Sequence, residues 1–204
     1  MLKASAQAAS GPTKARIIEA ALETLKNDGF SGASARTIAR RGGFNQALVF
    51  YHFGSVTDLL LAALDDSSAR RMAAYRAALE DVSDPEDLVA TAFHLYREDL
   101  ASGHITVVTE MIAGSLANPD LKAAIASRVD QWIDLAEAAL GPALRATPIT
   151  SIIPTRDLAY GIVAMYLGVE LLSQLASDDD RVGGLFASAE SAVSLLSGLF
   201  GGRP

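Results

Sequence analysis

Residues 34–53, S-A-R-T-I-A-R-R-G-G-F-N-Q-A-L-V-F-Y-H-F, restrict this chain more than any other stretch, because they lay out as two short helices around a glycine turn. Ser34 can cap a helix with Ala35, Ile38 and Ala39 on its apolar face, Gly42-Gly43 breaks it, and Asn45 can cap a second helix running to Tyr51. Phe50, Tyr51, His52 and Phe53 then close the unit with an aromatic cluster. Two short helices joined by about three or four residues with glycine make a helix-turn-helix, whose second helix enters the DNA major groove. The expected partner is double-stranded DNA.

The charge distribution agrees, although the net charge of −7 alone argues against it. Residues 1–53 carry seven Lys/Arg (Lys3, Lys14, Arg16, Lys26, Arg36, Arg40, Arg41) against three acids (Glu19, Glu23, Asp28), a net of +4. Residues 54–204 carry ten basic and twenty-one acidic side chains, a net of −11. Salt screens charge over roughly 8–10 Å, so a basic head can bind phosphate beside an acidic body.

The 204 residues are half hydrophobic, enough for a core with surplus for an interface. No cysteine is present, which fits a reducing compartment. The first residues, MLKASAQAASGPTKA, lack the apolar run of a secretory signal and suggest a flexible arm over 1–12. The longest apolar run, residues 158–169, falls short of the roughly twenty needed to cross a bilayer. A cytoplasmic protein without membrane association is expected.

Helical periodicity dominates, and the expected class is all-α with about nine helices. Thr13 can cap a first helix with Ile17, Ile18, Ala21, Leu22 and Leu25 as its stripe; Gly29 ends it, and Phe30 can fold back onto the bundle. After the helix-turn-helix, Ser55-Val56-Thr57-Asp58 has capping-box spacing and opens a fourth helix to about Leu79. Asp84-Pro85-Glu86-Asp87 opens a fifth, residues 105–116 form a sixth, and Asn118-Pro119-Asp120 opens a seventh that stops at Gly141-Pro142. Residues 143–154 read as a loop, Thr155 starts an eighth helix through Leu175, and residues 182–200 supply a ninth. Asp178-Asp179-Asp180 is a solvated connector. The expected organisation is an arm at 1–12, a DNA-binding domain at 13–54 and a larger helical domain at 55–204.

The eighth helix is apolar nearly all round (Leu158, Tyr160, Ile162, Val163, Met165, Tyr166, Leu167, Val169, Leu171, Leu172, Leu175), so both its sides need cover. Gly161, Ala164 and Gly168 form a small-residue strip, and the ninth helix offers Phe186, Ala189, Val193, Leu196 and Phe200 at helical spacing. A twofold homodimer through residues 155–175 and 182–200 is expected, as an intermolecular four-helix bundle. The other reading makes the eighth helix the central core helix of a monomer.

Residues 13 to about 60 resemble the DNA-binding domain of the TetR family of bacterial transcriptional repressors. The family pattern, I-x-x-A-A-x-x-L-x-x-x-x-G-F, then T/S-x-x-x-I-A, an A-G-V-S-like turn, Y-x-H-F and s-K-x-x-L, is matched by Ile17-Ile18-Glu19-Ala20-Ala21 with Gly29-Phe30, by Ser34 with Ile38-Ala39, by Gly42-Gly43-Phe44-Asn45, by Phe50-Tyr51-His52-Phe53, and by Ser55 with Leu59-Leu60. The chain departs from it at Phe50, where the family has a phosphate-contacting tyrosine, and at Val56, where it has a lysine. Tyr51 can supply the first contact from a position turned about 100° along the helix.

Asn45 and Gln46 stand where side chains reach base edges; Gln46 can pair in bidentate fashion with adenine, and Ala47 can meet a thymine methyl. Ser34, Arg36, Thr37, Arg40, Tyr51 and His52 are candidates for backbone contacts, His52 being equally suited to packing within the domain. Two copies should sit about 34–36 Å apart on a near-palindromic operator.

The resemblance further implies a small-molecule effector that shifts the spacing of the two heads. Candidate liners are Phe93, Tyr96, Met111, Trp132, Tyr160, Met165 and Tyr166, with His94, Glu110, Gln131 and Glu170 as polar handles. Such a set suits a largely apolar ligand. Each apolar liner also has core packing as an alternative. Glu170, a carboxylate inside an apolar helix, needs a partner: solvent, the dimer mate or a ligand. An enzyme or metal protein is the competing class, since His94 and Glu98 share a helix face with His104 near in sequence, and a helical interaction module is another. Without a glycine-rich phosphate loop, G-x-S-x-G or cysteine nucleophile, no enzyme activity, metal or cofactor is expected.

Overall fold

The computed structural model describes the backbone of residues 2–145, 148–176 and 179–200, with side chains throughout except at 2–12, 148, 174, 176, 179, 180, 196, 197, 199 and 200. The side chains of the expected arm, the Asp178–180 connector, and Leu196 and Phe200 of the expected dimer stripe lie outside the described residues. Among the described residues the chain forms nine α-helices and one 3-10 turn, without a strand: α1 (Leu2–Gly32), α2 (Ala35–Gly42), α3 (Ala47–Phe53), α4 (Val56–Leu79), α5 (Pro85–Ser102), α6 (His104–Ser115), α7 (Pro119–Leu144), the turn Pro148–Ser151, α8 (Thr155–Ala176) and α9 (Asp179–Phe200).

The helix starts follow local side-chain chemistry. Ser34 Oγ accepts the Thr37 N–H at 3.1 Å, Ser55 Oγ the Asp58 N–H at 3.0 Å, Asp84 Oδ1 the Asp87 N–H at 2.9 Å, and Asn118 Oδ1 the N–H groups of Asp120 and Leu121, both at 3.1 Å. Each satisfies N–H groups that a first helical turn leaves without a carbonyl. Several boundaries differ from the sequence expectation, among them the start of α9 at Asp179, inside the expected connector. Thr13 lies inside α1, not at its start. α3 begins two residues after Asn45, whose side chain instead closes a local turn onto the Ala47 N–H at 2.9 Å. α7 passes through Pro142 to Leu144, because Leu140, Ala143 and Leu144 are buried and their packing outweighs the missing proline donor so near a helix end.

The chain divides into two compact units, Met1–Arg70 with Thr106–Ala126, and Arg71–Ile105 with Ser127–Pro204. The first has its core around Ile17, Leu25, Ile38, Val49, Leu59, Val107 and Met111, all essentially buried. Here Gly29 breaks α1 with φ 69°, a left-handed value that favours glycine. The turned chain is held by α6: the Phe30 N–H donates to Glu110 Oε2 at 2.8 Å, and a Cβ on Gly114 would fall inside the Phe30 ring.

The second unit holds two apolar clusters. One gathers Tyr96, Ile105, Val182 and Phe186 with Phe93 and Tyr166; the other gathers Ile133, Leu140, Leu144 and Ala159 with Leu158 and Val163. On α8 the remaining apolar side chains stand open: Tyr160, Ile162, Met165, Leu171, Leu172 and Leu175, the last 79% exposed. Gly161 and Gly168 have open space where a Cβ would point, so the small-residue strip is uncovered. No single helix among the described residues is long and apolar enough to cross a membrane.

Candidate nucleic-acid interface and effector recess

The turn between α2 and α3 is pinned from three sides. Gly43 takes φ 66°, and its N–H returns to the Ala39 carbonyl. Gly42 lies so close to the Phe44 ring that a Cβ there would overlap it. Arg16 donates to the Gly43 carbonyl at 3.3 Å while its guanidinium stands 5.9 Å from the Phe44 ring centre. Val49 is the fully buried residue of α3. Asn45, Gln46, Ala47, Phe50 and Tyr51 are exposed, and Gln46/Phe50 and Ala47/Tyr51 are paired at i, i+4, so the outward side of α3 is one continuous face. Tyr51 is 80% exposed, with the His52 ring edge-on to it at 4.8 Å.

On α2, Arg36 and Arg40 are exposed, whereas Arg41 is engaged with Asp28 at 2.7 Å. Ser34 and Thr37 hydroxyls lie 2.8 Å apart. All nine sequence-selected DNA residues therefore fall on the α2–α3 segment and its two leading turns. Arg16 and Arg41, counted in the sequence only as charge, serve the turn and the α1–α2 contact.

The selected effector residues separate. Phe93, Tyr96, Met165 and Tyr166 come together in the second unit, where Ala92, Tyr96, Ile162, Met165, Tyr166, Val169, Leu185 and Phe186 line an apolar recess of about 50 Å³. The Phe93 and Phe186 rings lie 4.6 Å apart, and Tyr166 stands edge-on to Tyr96 at 5.2 Å. Glu170, in the same helix, is 1% exposed. Trp132 packs instead on Tyr75 (5.3 Å) and on the buried His104 (5.5 Å). Met111 is fully buried in the first unit, Glu110 is taken up by Phe30, and His94 is an exposed partner of Glu98 at 3.3 Å.

Residues 17–63 match the family model of bacterial regulatory proteins, tetR family. The HTH-type transcriptional regulator UidR of Escherichia coli (strain K12) is 26% identical over 165 residues, 78% of this chain and 83% of that one. A member of the TetR family from Streptomyces coelicolor is similar in structure at a TM-score of 0.65, with 27% identity over 89% of this chain and 95% of that one. Residues 17–63 thus carry a tetR-family DNA-binding region, and the chain is similar to TetR-family transcriptional regulators over most of its length. The multidrug binding protein EbrR, solved in complex with imidazole, aligns at a TM-score of 0.62 with 25% identity, covering 90% of the regulator and 93% of EbrR.

Behind the recess the regulator holds a polar network that the sequence did not disclose. Asp99 of α5, 1% exposed, forms an ion pair with Arg71 of α4 through Oδ1. Its Oδ2 accepts from the hydroxyls of Tyr75 (2.7 Å) and of Tyr166, which lie 2.9 Å from one another. Arg71 also reaches Glu98 at 3.4 Å and the Leu95 carbonyl at 3.5 Å. In sequence, Glu98 stands out only beside His94 and Asp99 not at all; the available signal was Arg71 and Tyr75 at i, i+4 on one helix face.

Burial disfavours charge on Arg71, but the adjacent Asp99 outweighs it, so the pKa of Arg71 is raised. Burial first, then the Asp99 charge, pushes the Tyr75 hydroxyl well above its ordinary range. Tyr166 rises further, through burial and then its neighbours Tyr75 and Asp99. A tyrosine with a raised folded-state pKa contributes stability that is complete below its unfolded value, about 10, and is lost as pH climbs beyond it. Alkaline titration should therefore show Tyr75 and Tyr166 forming phenolate only as helical circular dichroism collapses. Complete tyrosine ionisation with the helices intact would contradict this.

Proposed function

We propose that the regulator is a cytoplasmic repressor that grips a near-palindromic operator with the exposed face of α3 from each of two copies, and that a small apolar effector releases it. The observation that carries the reading is that face: Gln46 and Ala47 stand on it with Phe50 and Tyr51 beside them, and Val49 anchors it from within. Gln46 is the base reader, with adenine as its preferred partner, Ala47 and Asn45 adjoin the bases, and Ser34, Arg36, Thr37, Arg40, Tyr51 and His52 hold the phosphates. Residues 13–54 carry the reading and 55–204 hold effector and twin. The uncovered apolar side chains and glycines of α8 support a homodimer through α8 and α9, since one chain alone leaves them to water. The apolar lining around Tyr96, Met165 and Tyr166 supports an apolar effector, and EbrR holds a small molecule within the same fold.

Mobility shifts with the regulator's own promoter region test this. Binding should fall steeply with salt, because each phosphate contact releases counterions. Gln46→Ala should lose roughly 1–3 kcal/mol on the operator and relax one base position. Equal losses on every sequence would assign Gln46 to the phosphates, and salt-insensitive binding would remove the operator reading altogether.

A further inference from the structure

Among the described residues of the first unit, three large apolar side chains are exposed: Phe50, Tyr51 and Leu116. Two of them are neighbours on α3, and they differ in chemistry. Tyr51 carries a hydroxyl that can donate to a phosphate. Phe50, 51% exposed, has no atom that donates or accepts a hydrogen bond, so phosphate oxygens and the polar edges of bases give it no partner. Nor does it belong to the core. Val49 is the residue that anchors α3, and Phe50 stands about 100° round the helix from it. Gln46 is already in the helical conformation, at φ −55° and ψ −25°, so Gln46 and Phe50 share one ridge at i, i+4.

We propose that Phe50 is a second specificity residue, whose ring packs on the 5-methyl group of a pyrimidine in the major groove of the operator, an assignment that rests on the operator reading of α3. The surroundings select duplex DNA as the occupant. Arg36 and Arg40 are exposed on the adjoining α2, and residues 1–53 carry a net charge of +4, which suits a polyanion and not an apolar protein face. Among the base edges of the major groove the apolar feature is the thymine methyl; the other groups presented there donate or accept hydrogen bonds. Spacing supplies the register. Four residues of helix advance about 6 Å and base pairs stack about 3.4 Å apart, so the methyl lies about two base pairs from the pair read by Gln46. The ridge then reads two features together, an adenine edge through Gln46 and a methyl through Phe50. Because the ring meets the methyl and not the base, 5-methylcytosine presents it with the same group.

The test uses the full chain and a duplex that the wild type selects from random sequence. Each thymine is replaced in turn by uracil, which removes the methyl and keeps the base pairing. At one position per half-site the wild type should bind about fourfold more weakly, the worth of one buried carbon group. Phe50→Ala should bind the thymine and uracil duplexes alike at that position and melt as the wild type does, since the ring it removes is exposed. A methyl that Ala47 meets should keep its cost in this variant. At the Phe50 position 5-methylcytosine should bind more tightly than cytosine to the wild type, and equally with it to F50A. Phe50→Tyr should gain no affinity for unrelated sequences. Uracil without effect at every position overturns the methyl contact, and that measurement needs no variant to fold. An effect that F50A leaves in place at every position overturns it as well. F50Y binding all sequences more tightly sets the ring against a phosphate, with the same consequence. A wild type that selects no sequence at all overturns the operator reading instead, before any methyl is removed.

Discussion

Asp99→Ala should lower the unfolding free energy by roughly 3–5 kcal/mol, as expected when one partner of a buried ion pair is removed. The cost arises from what is left behind. Arg71 keeps only the more distant Glu98 at 3.4 Å as an ionic partner, and Tyr75 and Tyr166 lose the acceptor they share. Replacing both charges at once, as Arg71→Met with Asp99→Leu, should cost less than the single change, because no unpaired charge then remains in the interior and only the tyrosine hydroxyls lose an acceptor. Urea unfolding followed by circular dichroism measures both, and the pair of values should be strongly non-additive. A single variant within about 1 kcal/mol of the wild type would show that water already reaches Asp99.

A fragment ending at Arg70 should fail to fold, although it contains the whole helix-turn-helix. The first unit includes Thr106–Ala126, which buries Val107, Met111, Leu121 and Ile125. Each contributes about 1.5–3 kcal/mol of burial, so their joint loss is comparable to the whole stability of a small domain, about 5–15 kcal/mol. The fragment also leaves the Phe30 N–H without Glu110 and the Phe30 ring without its seat on Gly114. Its thermal trace should be shallow and non-cooperative beside the sharp melt of the full chain. A cooperative melt of residues 1–70 alone would show that α1–α4 make a sufficient core.

What could be read in the sequence was local. Ser34, Ser55, Asp84 and Asn118 cap the helices they announced, because capping depends on a side chain and an N–H two or three residues away. Gly29 and Gly43 take the left-handed backbone their positions required. The faces of α2 and α3 also followed in part from spacing, with Ile38 inside and Gln46 and Tyr51 outside, whereas the buried Val49 was not singled out. Glu170 stood out in the sequence as a carboxylate in an apolar helix, and it is indeed buried.

What could not be read depends on partners distant in the chain. Phe30 was expected to fold back, but its seat lies eighty residues on, at Glu110. Asp99 shows no periodic signal, since its burial is set by α4 and α8 together. Met111 and Trp132 look as suitable for a ligand as Tyr96 and Met165 do, because an aromatic or methionine has the same helical spacing whether it fills a core or lines a recess. The end of α7 was misjudged because a proline weighs locally, while Leu140 and Leu144 answer to packing from α8.

The clasp of α6 on the broken end of α1 bears on how operator preferences can be exchanged between such proteins. A chimera spliced at Gly54 would part Phe30 from the Glu110 and Gly114 that hold it and leave it to a sixth helix that must supply a matching carboxylate and notch. Recombination that respects the clasp moves two segments together, the leading helices and the short stretch at 106–126.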